Sequence, residues 1–471
     1  MEPGLDVAFL CHGWSPDVGG VETHTEDLAR ELATRGHRVH VLCLDTTAGR
    51  DPYTTRTEEK GGVDVRRMAY RYQDHAALAD IVYNGRANDV LLGWLAETPC
   101  DVVHVHHLTG FGMGALDAIH DVGQPLVMTL HDYWPLCPRG QLLRADGTLS
   151  EAPEPEACAA CLQATWPALM PSSGGRPAGP EGEPVADDVA AAAARTAYAL
   201  RSLEKPARLF TPSERAKAVY ARAGVDAARI EVCANGIDVE GLREEVARLR
   251  AASPARNEVR LGVLGTALPS KGVLELARAL RGADAPGLTL EVHGNAPPYH
   301  GDSSYVDALR ALATADERIR LHGPYDRDEL PGILAGLDGV AAPSRWEEVF
   351  GLTVREARAA GLPVLVSDAG DLPRVAADGR AGIVVPRDDA DAWVEALRRF
   401  AADAGARAAW GAFEEPLRAS HEMMLQLEGA YVEVIRAMTG SVPELEQGAE
   451  EPPPAAAARP GLIGRLFGRG R

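Results

Sequence analysis

Nowhere along the 471 residues do 18 apolar residues run together, and the first residues lack a basic stretch ahead of a hydrophobic segment. The sequence therefore predicts neither a membrane-spanning helix nor a secretory leader. Positive charge is short too: 48 lysines and arginines face 68 acids, a formal charge of −20. That balance argues against nucleic acid or an anionic membrane surface as the main partner, so any phosphate site must be local. Cysteines number only seven, and Cys11, Cys43 and Cys233 sit in apolar stretches. An odd, scattered set does not make a disulfide framework, and reduced thiols fit the cytoplasm. The dinucleotide pattern Gly-x-Gly-x-x-Gly is missing after the first strand.

What is present is enough apolar residue, 46%, to fill two cores, and the length suits two domains. Short apolar runs alternate with amphipathic stretches, the pattern of parallel α/β sheets. In the first half, strands are predicted at 7–11, 39–44, 63–68, 102–106, 126–130, 209–211 and 230–233, with a first helix over 22–35. The second half starts over, with strands at 259–265, 289–294, 319–322, 339–342 and 363–366. Helices are predicted at 188–203, 272–280, 305–314, 328–337, 352–360, 390–402, 406–412 and 420–438. The division is one domain over 1–240, a bridge over 239–257, a second domain over 256–405 and closing helices over 406–440. An insertion occupies about 135–187, its part from 171 onward reading as a flexible surface loop. Residues 441–471 read as a disordered tail; its last residues are locally basic, with Leu462, Ile463, Leu466 and Phe467, and could touch a membrane surface weakly.

The strand at 339–342, the helix at 352–360 and the strand at 363–366 form a βαβ unit around which the chain is organised. Its first loop carries Glu348, and Glu356 follows eight residues later in the first turns of the helix. The carboxyl end of a parallel strand is where open α/β sheets bind ligands, and free amides at the helix start, around Phe350, Gly351 and Leu352, favour an anion. Carboxylates beside an anion site suit a ligand with both hydroxyls and phosphates, such as a nucleotide sugar. In the second half, Lys271 stands at a helix start after a strand, where it can reach a diphosphate. In the first half, Gly19 and Gly20 between strand and helix let backbone approach a ligand.

Glu348-x-Phe350-Gly351-Leu352, then Glu356-Ala and Gly361-x-Pro-Val, together with Pro16-x-x-Gly19-Gly20-x-Glu22, resemble the motifs of family-4 retaining glycosyltransferases. The resemblance runs over roughly residues 5–440 and implies the GT-B fold, two Rossmann-like parallel-sheet domains facing across a cleft, with the closing helices over 406–440 crossing back to the first domain. It implies transfer of a sugar from a nucleotide diphosphate donor to a saccharide, lipid-linked or small-molecule acceptor, with no cofactor required. By it, Glu348 would hold the donor sugar's hydroxyls, Glu356 the nucleotide ribose, Lys271 the diphosphate, and the glycine loop would lie against donor and acceptor. His131, in Thr-Leu-His131-Asp132-Tyr-Trp, matches the family's acceptor-side histidine and would act at the bond being formed. The chain departs from the pattern at Thr266, where many members carry arginine, and at Arg374, where many carry glutamate. A GT-B epimerase or hydrolase and a non-catalytic nucleotide-sugar scaffold are the alternatives.

Two metal readings come from spacing. Cys158-Ala-Ala-Cys161 with Cys137 upstream could give three ligands of a structural zinc, with His131 or another residue as the fourth; a thiol pair or plain loop cysteines is the alternative. His104 and His106 share one strand face, with His107 next, but no acid or cysteine accompanies them, so strand-end polar contacts are expected. Asp326-Arg-Asp328 and Asp389-Ala-Asp391 look like Asp-x-Asp metal motifs but fall where helices begin, which suits capping.

Overall fold

The computed structural model describes residues 4–15, 19–47, 49–254, 256–414 and 416–440. The tail read from 441 onward, and Pro16 of the glycine loop, lie outside the described residues. Two sheets organise the chain. The first has eight strands: β1 (Asp6–Leu10), β2 (Arg38–Asp45), β3 (Thr55–Lys60), β4 (Val63–Ala69), β5 (Val102–Val105), β6 (Leu126–Thr129), β7 (Arg208–Thr211) and β8 (Ile230–Val232). Their order is β3-β4-β2-β1-β5-β6-β7-β8, and all neighbours run parallel except β3 with β4.

The second sheet has six strands: β9 (Val259–Leu264), β10 (Leu288–His293), β11 (Ile319–Gly323), β12 (Gly339–Ala342), β13 (Val364–Ser367) and β14 (Gly382–Val385). Their order is β11-β10-β9-β12-β13-β14, all parallel. In both sheets the chain winds outward from a central strand in both directions, so crevices open at the carboxyl ends of β1 and β5 and of β9 and β12.

The central strands form because they can be buried on both faces. Val102, Val103 and Val105 of β5 and Val364, Leu365 and Val366 of β13 are fully shielded, the near-continuous apolar run that parallel strands need. The polar strand β3, Thr-Arg-Thr-Glu-Glu-Lys, escapes that pattern because it is an exposed antiparallel edge whose partner alone gives it shape.

Two more differences concern the segments between strands. The helix Val239–Ala251 fills most of the expected bridge and packs Leu242 and Val246 into the second domain's core. Residues 171–187 are not a bare loop: Ala178 bridges Pro184, and Arg176 holds Asp80 of the first domain. The final helix, Ser420–Thr439, returns to the first domain, where Met424, Leu427 and Tyr431 join Leu28 and Leu32 of the helix Gly20–Thr34 in one cluster. No helix among the described residues is long and apolar enough to cross a membrane.

The two Asp-x-Asp segments are caps. Asp326 forms a capping box with Glu329, and the Asp389 carboxylate accepts the Ala392 amide at 2.9 Å.

Candidate functional site

Between the domains lies a cavity of about 970 Å³, a size suited to a ligand with several rings or a diphosphate. On the first domain's side it is lined by His12, Gly19, Gly20, Glu22, His131 and Asn235; on the second's by Thr266, Lys271, Tyr325, Arg327, Glu348 and Glu356. Phe350, Gly351 and Leu352 border it at the start of the helix Leu352–Ala359. The first amides of such a helix have no intrahelical acceptor and carry its positive dipole end.

Glu348 is buried, and its Oε1 accepts from Lys271 Nζ at 2.5 Å and from Ser344 Oγ at 2.6 Å. Lys271 also stands over the Trp346 ring, 5.1 Å from its centroid. Gly370 fixes the Glu348 backbone: its φ of +59° is in the left-handed region, and a Cβ there would come within 2.0 Å of the Glu348 carbonyl oxygen. The Asp371 amide donates to that same carbonyl at 2.9 Å.

Glu356 lies eight residues on, 3% exposed. Burial pushes its carboxyl up to about 7, against the opposing pull of Arg327, whose Nη1 reaches it at 3.3 Å. The other guanidinium nitrogen of Arg327 donates at 2.9 Å to buried Asp27 on the helix Gly20–Thr34. Arg327 thus ties the two walls of the cleft together. The loop between β12 and the helix does the same: Trp346 meets Tyr133 edge-on at 6.0 Å, Arg215 donates to Glu347 at 2.8 Å, and Ser213 Oγ donates to the Val349 carbonyl at 2.5 Å.

On the opposite wall the glycine loop differs in detail from the expectation. Space over Gly20 is open, but a Cβ at Gly19 would come within 2.5 Å of the Glu22 carboxylate, so Gly19 makes room for Glu22. Burial works against that carboxylate, but His12 at 3.0 Å outweighs it and holds it below the ordinary range. His12 packs on His107, whose Nε2 lies 3.2 Å from Asp132. His131, partly exposed at the cleft, sits 3.2 Å from His106 Nδ1, and burial and neighbouring imidazoles keep it neutral. Its neighbour His104 makes the expected strand-end contacts, to Tyr431 and Thr129 at 2.7 Å each.

Spacing misled on the thiols. Among the described residues, Cys137, Cys158 and Cys161 do not gather their sulfurs within 4.8 Å as a ligand set; His24, His106 and His131 do gather their nitrogens so. The Cys161 sulfur instead accepts from Arg139 and from the Ala145 amide, at 3.4 and 3.3 Å, and Arg195 is buried beside the group with its guanidinium on the Trp134 and Pro135 carbonyls. All seven cysteines are free.

Sequence reasoning missed Arg327, Asp27, His12, Glu22 and His24. Only Glu22 had a signal, as the last letter of the glycine motif; the others become a site through contacts between distant segments.

Comparison with known proteins matches a model described as Glycosyltransferase Family 4 over residues 18–163 and one described as Glycosyl transferases group 1 over residues 258–403. The chain is 28% identical over 433 residues to a D-inositol 3-phosphate glycosyltransferase of Xylanimonas cellulosilytica, covering 86% of this chain and 90% of that one. It is 27% identical to the enzyme of that name from Nocardioides sp., covering 85% and 82%. Among solved structures it resembles the sucrose-phosphate synthase of Thermosynechococcus elongatus, with a TM-score of 0.65 at 19% identity over 92% of this chain and 100% of that one. It also resembles the catalytic domain of starch synthase IV from Arabidopsis thaliana bound to ADP and acarbose, with a TM-score of 0.60 at 16% identity over 92% and 99%.

Proposed function

Because the chain belongs to the family-4, group 1 glycosyltransferases, we propose that it moves a sugar from a nucleotide diphosphate donor to an acceptor hydroxyl with retention at the anomeric carbon. One observation carries this reading: Glu348, held by Lys271, and Glu356, held by Arg327, open into one cavity at the head of a helix, with His131 on the facing wall.

In the reaction the bond from the anomeric carbon to the diphosphate oxygen breaks, and a bond to the acceptor oxygen forms on the same face. The acceptor proton passes to the departing phosphate. Charge grows on the diphosphate and, with opposite sign, on the sugar ring. Lys271 and the amides of Gly351 and Leu352 answer the first, and they can do so with no metal at that place. Glu348 answers the second and takes the sugar's hydroxyls. Glu356 accepts from the ribose, and Tyr325 borders the base. Thr266 adds no charge where many relatives have arginine, so among the described residues Arg327 and Lys271 are the cations lining the donor's wall. His131 and the Gly20 backbone position the acceptor. The contacts across the cleft exclude water, which would otherwise hydrolyse the donor.

The acceptor wall presents Glu22, Asp132 and Asn235, groups that accept hydrogen bonds from a hydroxyl-rich molecule. D-inositol 3-phosphate, the acceptor in the relatives' name, belongs in the panel beside simple sugars, lipid-linked saccharides and water. The test pairs wild type with Glu348→Ala against nucleotide sugars, reading melting temperature and release of nucleoside diphosphate, and the product's anomeric configuration by NMR. One donor should stabilise both proteins, with turnover at least about 100-fold lower in the variant. A donor that binds but is never turned over with any acceptor would make the protein a sensor or scaffold, and an inverted product would remove the retaining mechanism.

A further inference from the structure

Three histidines from three elements converge inside the first domain's wall of the cleft. His24 belongs to the first turns of the helix Gly20–Thr34, His106 follows β5 and His131 follows β6. One nitrogen from each lies within 4.8 Å of the others. The ring centroids are 4.6 Å apart for His24 and His131, 5.4 Å for His24 and His106, and 5.5 Å for His106 and His131. Imidazoles on one tetrahedral zinc, with metal–nitrogen bonds of about 2.0 Å, have centroids about 5 Å apart and nitrogens about 3.4 Å apart. His106 Nδ1 and His131 Nε2 are separated by 3.2 Å.

The polar atoms at this spot are also unsatisfied. Both ring nitrogens of His24, Nε2 of His106 and Oδ1 of Asn235 are buried with no hydrogen bond of ordinary geometry. The Asn235 side chain faces His24. Buried polar atoms without partners are rare, and although the two nitrogens of one imidazole point apart, so that only one per ring can face a shared ligand, one His24 nitrogen and Asn235 Oδ1 are available to it beside His106 Nδ1 and His131 Nε2. An imidazole set offers lone pairs to a divalent cation and little to an anion.

We propose that His24, His106 and His131, with Asn235 or a water from the cleft as fourth donor, bind one divalent first-row transition ion, with zinc the best fit to an imidazole set of this shape. The ion would lock three elements of the first domain together and fix the His131 ring, leaving the His131 backbone for the cleft. The inference does not rest on the transferase reading, although it shares His131 and Asn235 with that reading's acceptor wall.

The test uses the full chain, stripped with a chelator and titrated with Co2+ by visible absorption and with Zn2+ by calorimetry. One equivalent should bind with the bands of a four-coordinate nitrogen site and without thiolate charge transfer. His24→Gln and His106→Gln should each weaken binding at least about 100-fold. The double variant Cys137→Ser, Cys161→Ser should bind as wild type does. His24→Cys, which restores a ligand, should recover binding and add a thiolate band, and that recovery separates lost coordination from lost fold. Absence of a stoichiometric site, binding unaltered in His24→Gln, or binding lost with the cysteines would each overturn the proposal.

Discussion

Replacing Glu356 by glutamine should stabilise the unliganded protein at neutral and alkaline pH and leave it unchanged in acid. An exposed glutamate titrates near 4.5, and burial, with the Asp27 carboxylate adding to it, moves this one to about 7 against the pull of Arg327. Between those values the folded chain binds a proton that the unfolded chain has released, so raising the pH costs stability across that window. At about 1.4 kcal/mol per unit, the ionised carboxylate destabilises the fold by about 3 kcal/mol once the pH exceeds 7. Glutamine has the same shape and no charge to bury, and Arg327 keeps Asp27 as its partner. Urea unfolding of wild type and Glu356→Gln from pH 4 to 8.5 reads this directly. The difference should be near zero at the acid end, grow through the window and level off above it. A difference that is flat with pH, or a variant less stable than wild type at pH 8, would show that Glu356 is not a buried, poorly compensated acid.

Nucleotide affinity should follow the same titration, because only the carboxylate form accepts two hydroxyls at once. With half-ionisation at about 7, binding should strengthen about tenfold from pH 6 to pH 8, measured by calorimetry; constant affinity would place the ribose elsewhere. Gly370→Ala should lower the melting temperature and cost at least about 1–2 kcal/mol, since alanine in a left-handed position also meets the Glu348 backbone, with turnover falling alongside. A double-mutant cycle of Asp27→Asn and Arg327→Met should show a coupling of at most about 1 kcal/mol, because Arg327 is a third exposed and solvent screens it. A coupling well above that would mean that the pair is shielded from solvent more than its exposure indicates.

The sheets were legible because their central strands are apolar on both faces, a signal that survives without knowledge of neighbours. Strand β3 carries no such signal; its Thr-Arg-Thr-Glu-Glu-Lys looks like a loop until β4 pairs with it. The pair Glu348 and Glu356 could be read because one loop and one helix set their relation. Arg327 could not, since its meaning comes from Asp27, 300 residues away. The cysteines show the opposite failure. Cys158-x-x-Cys161 has ligand spacing along the chain, yet the fold gives the Cys161 sulfur to Arg139 and a backbone amide. Spacing reports what can meet, and the rest of the fold decides what does.

The return of the final helix to the first domain bears on how the protein is made. Cys233 closes the first sheet, but Met423, Leu427 and Tyr431, which cover Val7, Phe9 and Val41, leave the ribosome roughly 190 residues later. At ordinary elongation rates that is about 10 to 40 s, during which one face of the first sheet is only partly covered, by Leu28 and Leu32 of the helix Gly20–Thr34. The second domain can complete itself in that interval. The N-terminal half is thus first to be synthesised and last to be sealed, and ribosome-associated chaperones have their longest access to the domain that begins the chain.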